Sequence, residues 1–115
     1  MIILNKKLSL VELSSYLKVV SDPTRFLIIK LLERRTYCVC EFVEMLGISQ
    51  PAVSQHLRRL KDSGLVLEEK REQWRYFSIN QTSPFYSIIE ELLKRSDNGD
   101  ERFKQAIDKE GLAQC

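Results

Sequence analysis

Two helix-forming segments separated only by Gly47-Ile48-Ser49, followed by two β-prone runs around a charged turn, predict a mainly α chain with one β-hairpin. This is a winged helix-turn-helix of about five helices plus a wing. Its 115 residues suit one folding unit around one core.

The elements follow in order. Residues 8–20 carry Leu10, Leu13, Leu17 and Val20 at spacings of three and four, the signature of an amphipathic helix. Asp22 is the expected cap of a second helix with Pro23 at its first position, and Phe26, Leu27, Ile28, Ile29, Leu31 and Leu32 make that helix apolar nearly all round, hence central. After Arg35-Thr36-Tyr37 a short helix runs from about Val39 to Leu46 and stops at Gly47. Ser49 caps the next helix, which ends at Gly64. Leu65–Glu69 and Trp74–Asn80 form the hairpin, and residues 83–96 the last strong helix. Residues 1–96 are expected to form the winged helix-turn-helix domain, and 97–115 a polar, frayed tail with a short helix around 101–109.

Composition narrows the classes. No apolar run approaches the roughly 18 residues of a membrane span, and the opening residues lack the h-region and cleavage site of a secretory signal. A cytoplasmic location is expected, where three cysteines stay as thiols rather than forming a structural disulfide framework. Net charge is only +2, but residues 1–80 carry 13 Lys/Arg against 9 Asp/Glu, whereas 81–115 carry 5 against 7. A polyanion would therefore meet the first eighty residues.

On a helical wheel Val53, Leu57 and Leu60 share one face of the helix after Ser49, while Ser54, Gln55, Arg58 and Arg59 project from the other. Gln and Arg can bond base edges at two points, and the helix N-terminus near Gln50 suits a phosphate. The hairpin adds Lys70, Arg71 and Arg75 where a wing would touch the backbone of double-stranded DNA. His56 flanks the core stripe and is read as a support for the helix rather than a metal ligand. Leu13 and Leu17 of the first helix, with Phe85, Ile88, Ile89 and Leu92 of the last, offer apolar stripes that could seal a two-fold homodimer, which would set paired recognition helices on half-sites one helical turn apart.

In order, and over about residues 10–95, "DPTRFLIIKLL", "CVCEF", "SQPAVSQHLRRLKDSGLV" and "WRYFSIN" resemble the ArsR/SmtB family of winged-helix metalloregulatory repressors. The resemblance implies a homodimer that binds a palindromic operator and is released when a metal ion binds. Cys38-Val39-Cys40-Glu41 looks like the Cys-Val-Cys-Asp signature of the arsenic and antimony sensors. Thiolates are soft donors, suited to As(III) or Sb(III) as inducer. Where some arsenic sensors carry a third cysteine, this chain has Val43. Cys115 either completes the site, within a protomer or across the dimer, or is idle on the tail; idle is the reading preferred from sequence, with a cellular thiol or solvent as third ligand. The N-terminal cysteines of cadmium and lead sensors are absent from residues 1–20, as are the His and Asp of zinc and nickel sensors from residues 84–96.

Spacing also carries a mechanism. Residues i and i+2 of a regular helix lie about 200° apart, so Cys38 and Cys40 could meet one ion only if the start of that helix deformed, and the strain would pass through the short turn to Gln55 and Arg58. Competing readings are a winged-helix regulator in which Cys38 and Cys40 merely pack, and a thiol-redox sensor using sulfenic chemistry or an intermolecular disulfide. An enzyme is not expected: there is no Cys-x-x-Cys, no glycine-rich phosphate loop and no catalytic partner set for the single His56.

Overall fold

A computed structural model describes residues 7–115; the opening residues 1–6, part of the stretch read for a leader, lie outside the described residues. Helix α1 (Leu10–Val20) starts at a reciprocal cap, in which Ser9 Oγ accepts from the Glu12 amide at 3.0 Å and the Glu12 carboxylate accepts from the Ser9 amide at 2.8 Å. At α2 (Pro23–Arg34) Asp22 Oδ1 accepts from the amides of Thr24 and Arg25, and Pro23 occupies the first turn as expected. Leu27 through Leu32 are buried along this helix, which runs through the centre of the core.

Just after α2 lies an element the sequence did not announce. Tyr37 and Cys38 form strand β1, which joins β2 (Val66–Arg71) and β3 (Trp74–Ile79) in an antiparallel sheet of order β1-β3-β2. Tyr37 pairs with Phe77 and Cys38 with Tyr76. The wing is therefore a three-stranded sheet whose inner edge is the cysteine-bearing segment.

Helix α3 (Val39–Leu46) closes at Gly47, whose φ of 67° no β-carbon-bearing residue adopts cheaply. Helix α4 (Gln50–Asp62) starts from Ser49, which accepts from the Ala52 amide. Val53, Leu57 and Leu60 are fully buried, so the helical-wheel assignment of the inner face holds. Helix α5 (Tyr86–Arg95) is followed by α6 (Glu101–Asp108), capped by Asp100. The short helix expected around 101–109 forms as α6, and instead of fraying with a polar tail it packs against α2 and α3, with Ala106 buried. Among the described residues no helix is long and apolar enough to cross a membrane.

Candidate metal centre and nucleic-acid interface

The sulfur site is built by the junction of β1 and α3. Cys38 is not helical: it is the extended N-cap residue of α3 (φ −96°, ψ 168°), held by its pairing with Tyr76 on one side and by Glu41 Oε1, which accepts from its amide at 2.8 Å, on the other. Cys40 sits in the first turn of the helix. The change from extended to helical backbone brings the two sulfurs to 3.2 Å. The expectation that a regular helix would hold them apart is thus overturned, because only one of the pair is in the helix.

Cys115 joins them. Its Sγ lies 3.7 Å from that of Cys38 and is joined to Cys40 as a disulfide, so that all three sulfurs fall within 4.8 Å of one another and Cys38 is the free thiol. Cys115 therefore lies with the other two sulfurs rather than apart from them on the tail, and a disulfide not foreseen in composition forms across the chain. Thiolates bound at about 2.3 Å to one ion sit no more than about 4.6 Å from each other, so the spacings from Cys38 suit a shared thiophilic centre once the disulfide is reduced. The donor set is sulfur alone, which suits As(III) and Sb(III). Burial pushes the Cys38 thiol above its ordinary value. The Glu41 amide pulls the other way without offsetting this, and the Glu41 carboxylate adds to the rise.

Val43, at the position of the missing third cysteine, lines a cleft of about 420 Å³ beside the sulfurs. Gln50 from the start of α4, Trp74 and Arg75 from the wing, and Ala113 and Gln114 from the segment after α6 also line it. One cavity thus borders the thiols, the recognition helix and the wing.

A polar cluster lies on the other side of β1. The buried Tyr37 donates from its hydroxyl to Glu110 at 2.6 Å and accepts from Arg34 at 2.9 Å, and Arg34 also pairs with Glu110. Arg35 lies over the Tyr37 ring and bonds Glu41 at 2.9 Å. Tyr37 and Arg34 hold the Glu110 carboxyl below the usual range, while burial and that carboxylate push Tyr37 up to about 12. Nothing in local sequence pattern signalled Glu110, since its partners lie more than seventy positions away.

On α4, Gln50, Gln55, Arg58 and Arg59 are exposed and Ser54 is half-buried. Arg58, Arg59 and Lys70 make no ion pair among the described residues, whereas Arg71 bonds Glu69 at 3.0 Å and Arg75 is drawn to Glu68, which Lys61 also holds at 2.8 Å. His56 Nδ1 lies 3.3 Å from Arg25 Nη1, and because a guanidinium only donates, the ring nitrogen accepts. His56 thereby ties α4 to α2.

A family model described as bacterial regulatory protein, arsR family, matches residues 22–67. The arsenical resistance operon repressor of Staphylococcus xylosus is 35% identical over 91 residues, which cover 76% of this chain and 86% of that protein. The chain belongs to the ArsR family. An uncharacterised HTH-type transcriptional regulator of Methanocaldococcus jannaschii is 36% identical over 65% of this chain and 88% of its own length. The solved structure of HlyU from Vibrio cholerae matches with a TM-score of 0.66 at 30% identity, covering 73% of this chain and 90% of that one. Family and fold are those of DNA-binding transcriptional repressors, not of enzymes.

Two of the apolar residues assigned to an ArsR-type dimer face are used otherwise. Phe85 is fully buried and stacks on Tyr16 at 4.7 Å, and Ile89 is buried beside it in the core. Phe85 ties the start of α5 to α1 within the protomer, while Ile89 lies with Ile29, Leu65 and Ile79. Leu13, Ile88 and Leu92 are half-buried, and Leu17 is 50% exposed. Leu10 at 84% and Val11 at 75%, not singled out from sequence, extend the open apolar face of α1.

Proposed function

We propose that this ArsR-family chain is a cytoplasmic repressor that binds operator DNA as a homodimer and lets go when As(III) or Sb(III) is captured by Cys38, Cys40 and Cys115. The convergence of three sulfurs on one point carries the reading. On DNA, the exposed face of α4 with Gln50, Ser54, Gln55, Arg58 and Arg59 enters the major groove. Lys70, Arg71 and Arg75 follow the phosphates from the wing. Leu10, Val11 and Leu17 of α1, with Leu13, Ile88 and Leu92 at their margin, seal the dimer.

The route from thiols to DNA differs from helix unwinding. Cys38 is paired to Tyr76 of the wing, so a force on its side chain reaches β3 directly, and the cleft beside the sulfurs is shared with Gln50, Trp74 and Arg75. Drawing Cys115 against Cys38 and Cys40 changes the packing of the chain end in that cleft and with it the angle between wing and recognition helix. A coupling of about 1–3 kcal/mol suffices for a 5- to 150-fold loss of affinity.

Fluorescence anisotropy tests this with reduced protein and a duplex selected from a random pool. Arsenite and antimonite are expected to release the duplex at stoichiometric amounts while zinc and cadmium do so weakly; retention at saturating arsenite refutes the reading. The Cys40–Cys115 disulfide favours a second reading, thiol-redox sensing, because oxidation occupies two of the three donors. Mass spectrometry after peroxide treatment, with DNA binding followed in parallel and no metalloid present, separates the two: cysteine oxidation that leaves the duplex bound, or release without oxidised cysteine, removes the redox reading.

A further inference from the structure

The thiol site joins a two-residue strand to Cys115, 77 positions away, so the segment after α6 must be held for the sulfurs to meet. With Glu110 held, Cys115 is tethered by five residues that span at most about 17 Å; without it the free segment runs from the end of α6, seven residues and about 24 Å, so Cys115 samples a larger volume. Helix α6 ends at Asp108, before that stretch begins. Just after α6 the Glu110 carboxylate supplies the side-chain hydrogen bonds that hold the chain to α2 and β1.

Resting on the function proposed above, we infer that Glu110 is a positioning residue for the thiol site: its carboxylate, clamped on Tyr37 and Arg34, orients the chain end so that Cys115 meets Cys38 and Cys40. Geometry favours this in three ways. The buried anchor, the Tyr37 hydroxyl, stands on the residue next to Cys38 in the same strand, so the clamp and the sulfurs are registered to one piece of backbone. Arg34 contacts both the hydroxyl and the carboxylate, closing a three-membered hydrogen-bonded set. Arg35 reaches Glu110 at 3.9 Å and Glu41 at 2.9 Å, linking the clamp to the cap that fixes Cys38. Lys109 passes close to Gly47, so the same stretch of chain also touches the turn that leads into α4.

The clamp acts on a chain-end thiol, so it should be visible without any metalloid. Oxidised glutathione takes the two hydrogens of the Cys40 and Cys115 thiols, giving the intrachain disulfide and two reduced glutathiones. In full-length protein, Glu110→Ala is expected to lower the equilibrium constant for this exchange about tenfold, as fits loss of hydrogen bonds to a charged group. Glu110→Gln, which keeps the shape and loses the charge, moves it the same way by a few-fold. An unchanged constant in both variants overturns the inference, whatever arsenite does.

A cycle with arsenite separates positioning from simple support of the fold. Glu110→Ala is expected to weaken arsenite binding by reduced protein about tenfold, and to have no further effect in Cys115→Ser, where the third sulfur is already gone. An equal loss in both backgrounds shows that Glu110 acts through general stability and sinks the idea. If wild-type protein fails to bind arsenite while the glutathione exchange still responds to Glu110, the functional reading falls and the clamp stands.

Discussion

Cys38 and Cys40 differ in backbone although only Val39 separates them. Cys38 belongs to the sheet and Cys40 to the helix, and that difference turns a pair of side chains on opposite sides of a helix into neighbours at 3.2 Å. Replacing either by serine in reduced protein is expected to leave DNA affinity within about twofold and to abolish release by arsenite; a serine variant still released at stoichiometric arsenite would remove that cysteine from the site. Arg58 makes no ion pair among the described residues, so its guanidinium is available to DNA. Arg58→Ala should weaken duplex binding by about 1–3 kcal/mol at fixed salt, read by anisotropy, and unchanged affinity would move the recognition surface elsewhere on α4. Arg71 and Arg75 are drawn to glutamates of the wing itself, and under the proposed DNA contact they would give up part of those bonds to reach phosphate.

At the scale of elements, the α3–α4 turn depends on Gly47 holding a left-handed φ of 67°. Gly47→Ala is expected to cost about 1 kcal/mol, seen as a lower urea midpoint at unchanged slope; an unaltered midpoint would mean the turn adapts without strain. The wing has its own tie to α4 through Glu68, whose carboxyl is held below the usual range first by Lys61 and then by Arg75. Because its folded value is the lower one, its contribution is complete above about pH 4.3 and disappears as the pH falls through the folded value. The stability difference between wild type and Glu68→Gln should accordingly shrink from neutral pH towards about pH 3 in urea titrations, and a difference that persists there would show that the charge is not what counts. Helices α1 to α5 and the hairpin were legible because each carries a period or a stop signal: Asp22-Pro23 and Ser49 as caps, Gly47 as a stop, and Val53, Leu57 and Leu60 as a stripe. Strand β1 was not, since two residues show no alternation and their pairing with Tyr76 and Phe77 is a tertiary fact. That omission led the helical-wheel argument to treat Cys38 as helical and to infer a strain that the fold does not contain.

For the whole molecule, the decisive contacts are the long ones. Cys115 meets Cys38 across 77 positions and Glu110 meets Tyr37 across 73, so neither could be read from local pattern, although Cys115 was visible as a candidate. Sequence likewise could not apportion the apolar stripe of α5: Phe85 and Ile89 serve the protomer, and the open surface is on α1 instead. Charging that surface with Leu10→Glu and Leu17→Glu is expected to give monomers by analytical ultracentrifugation and to cost most of the operator affinity; a dimer that survives both would place the two-fold contact away from α1. The shared cleft makes the three scales one device, since its walls come from the thiol junction, the start of α4, the wing tip and the chain end. Whether those thiols act together is read most directly from the arsenic K-edge absorption spectrum of reduced full-length protein carrying one equivalent of arsenite. Three sulfur neighbours and no oxygen are expected, falling to two in Cys115→Ser. A wild-type shell that contains oxygen, or that is unchanged by the loss of Cys115, would contradict the three-thiol site.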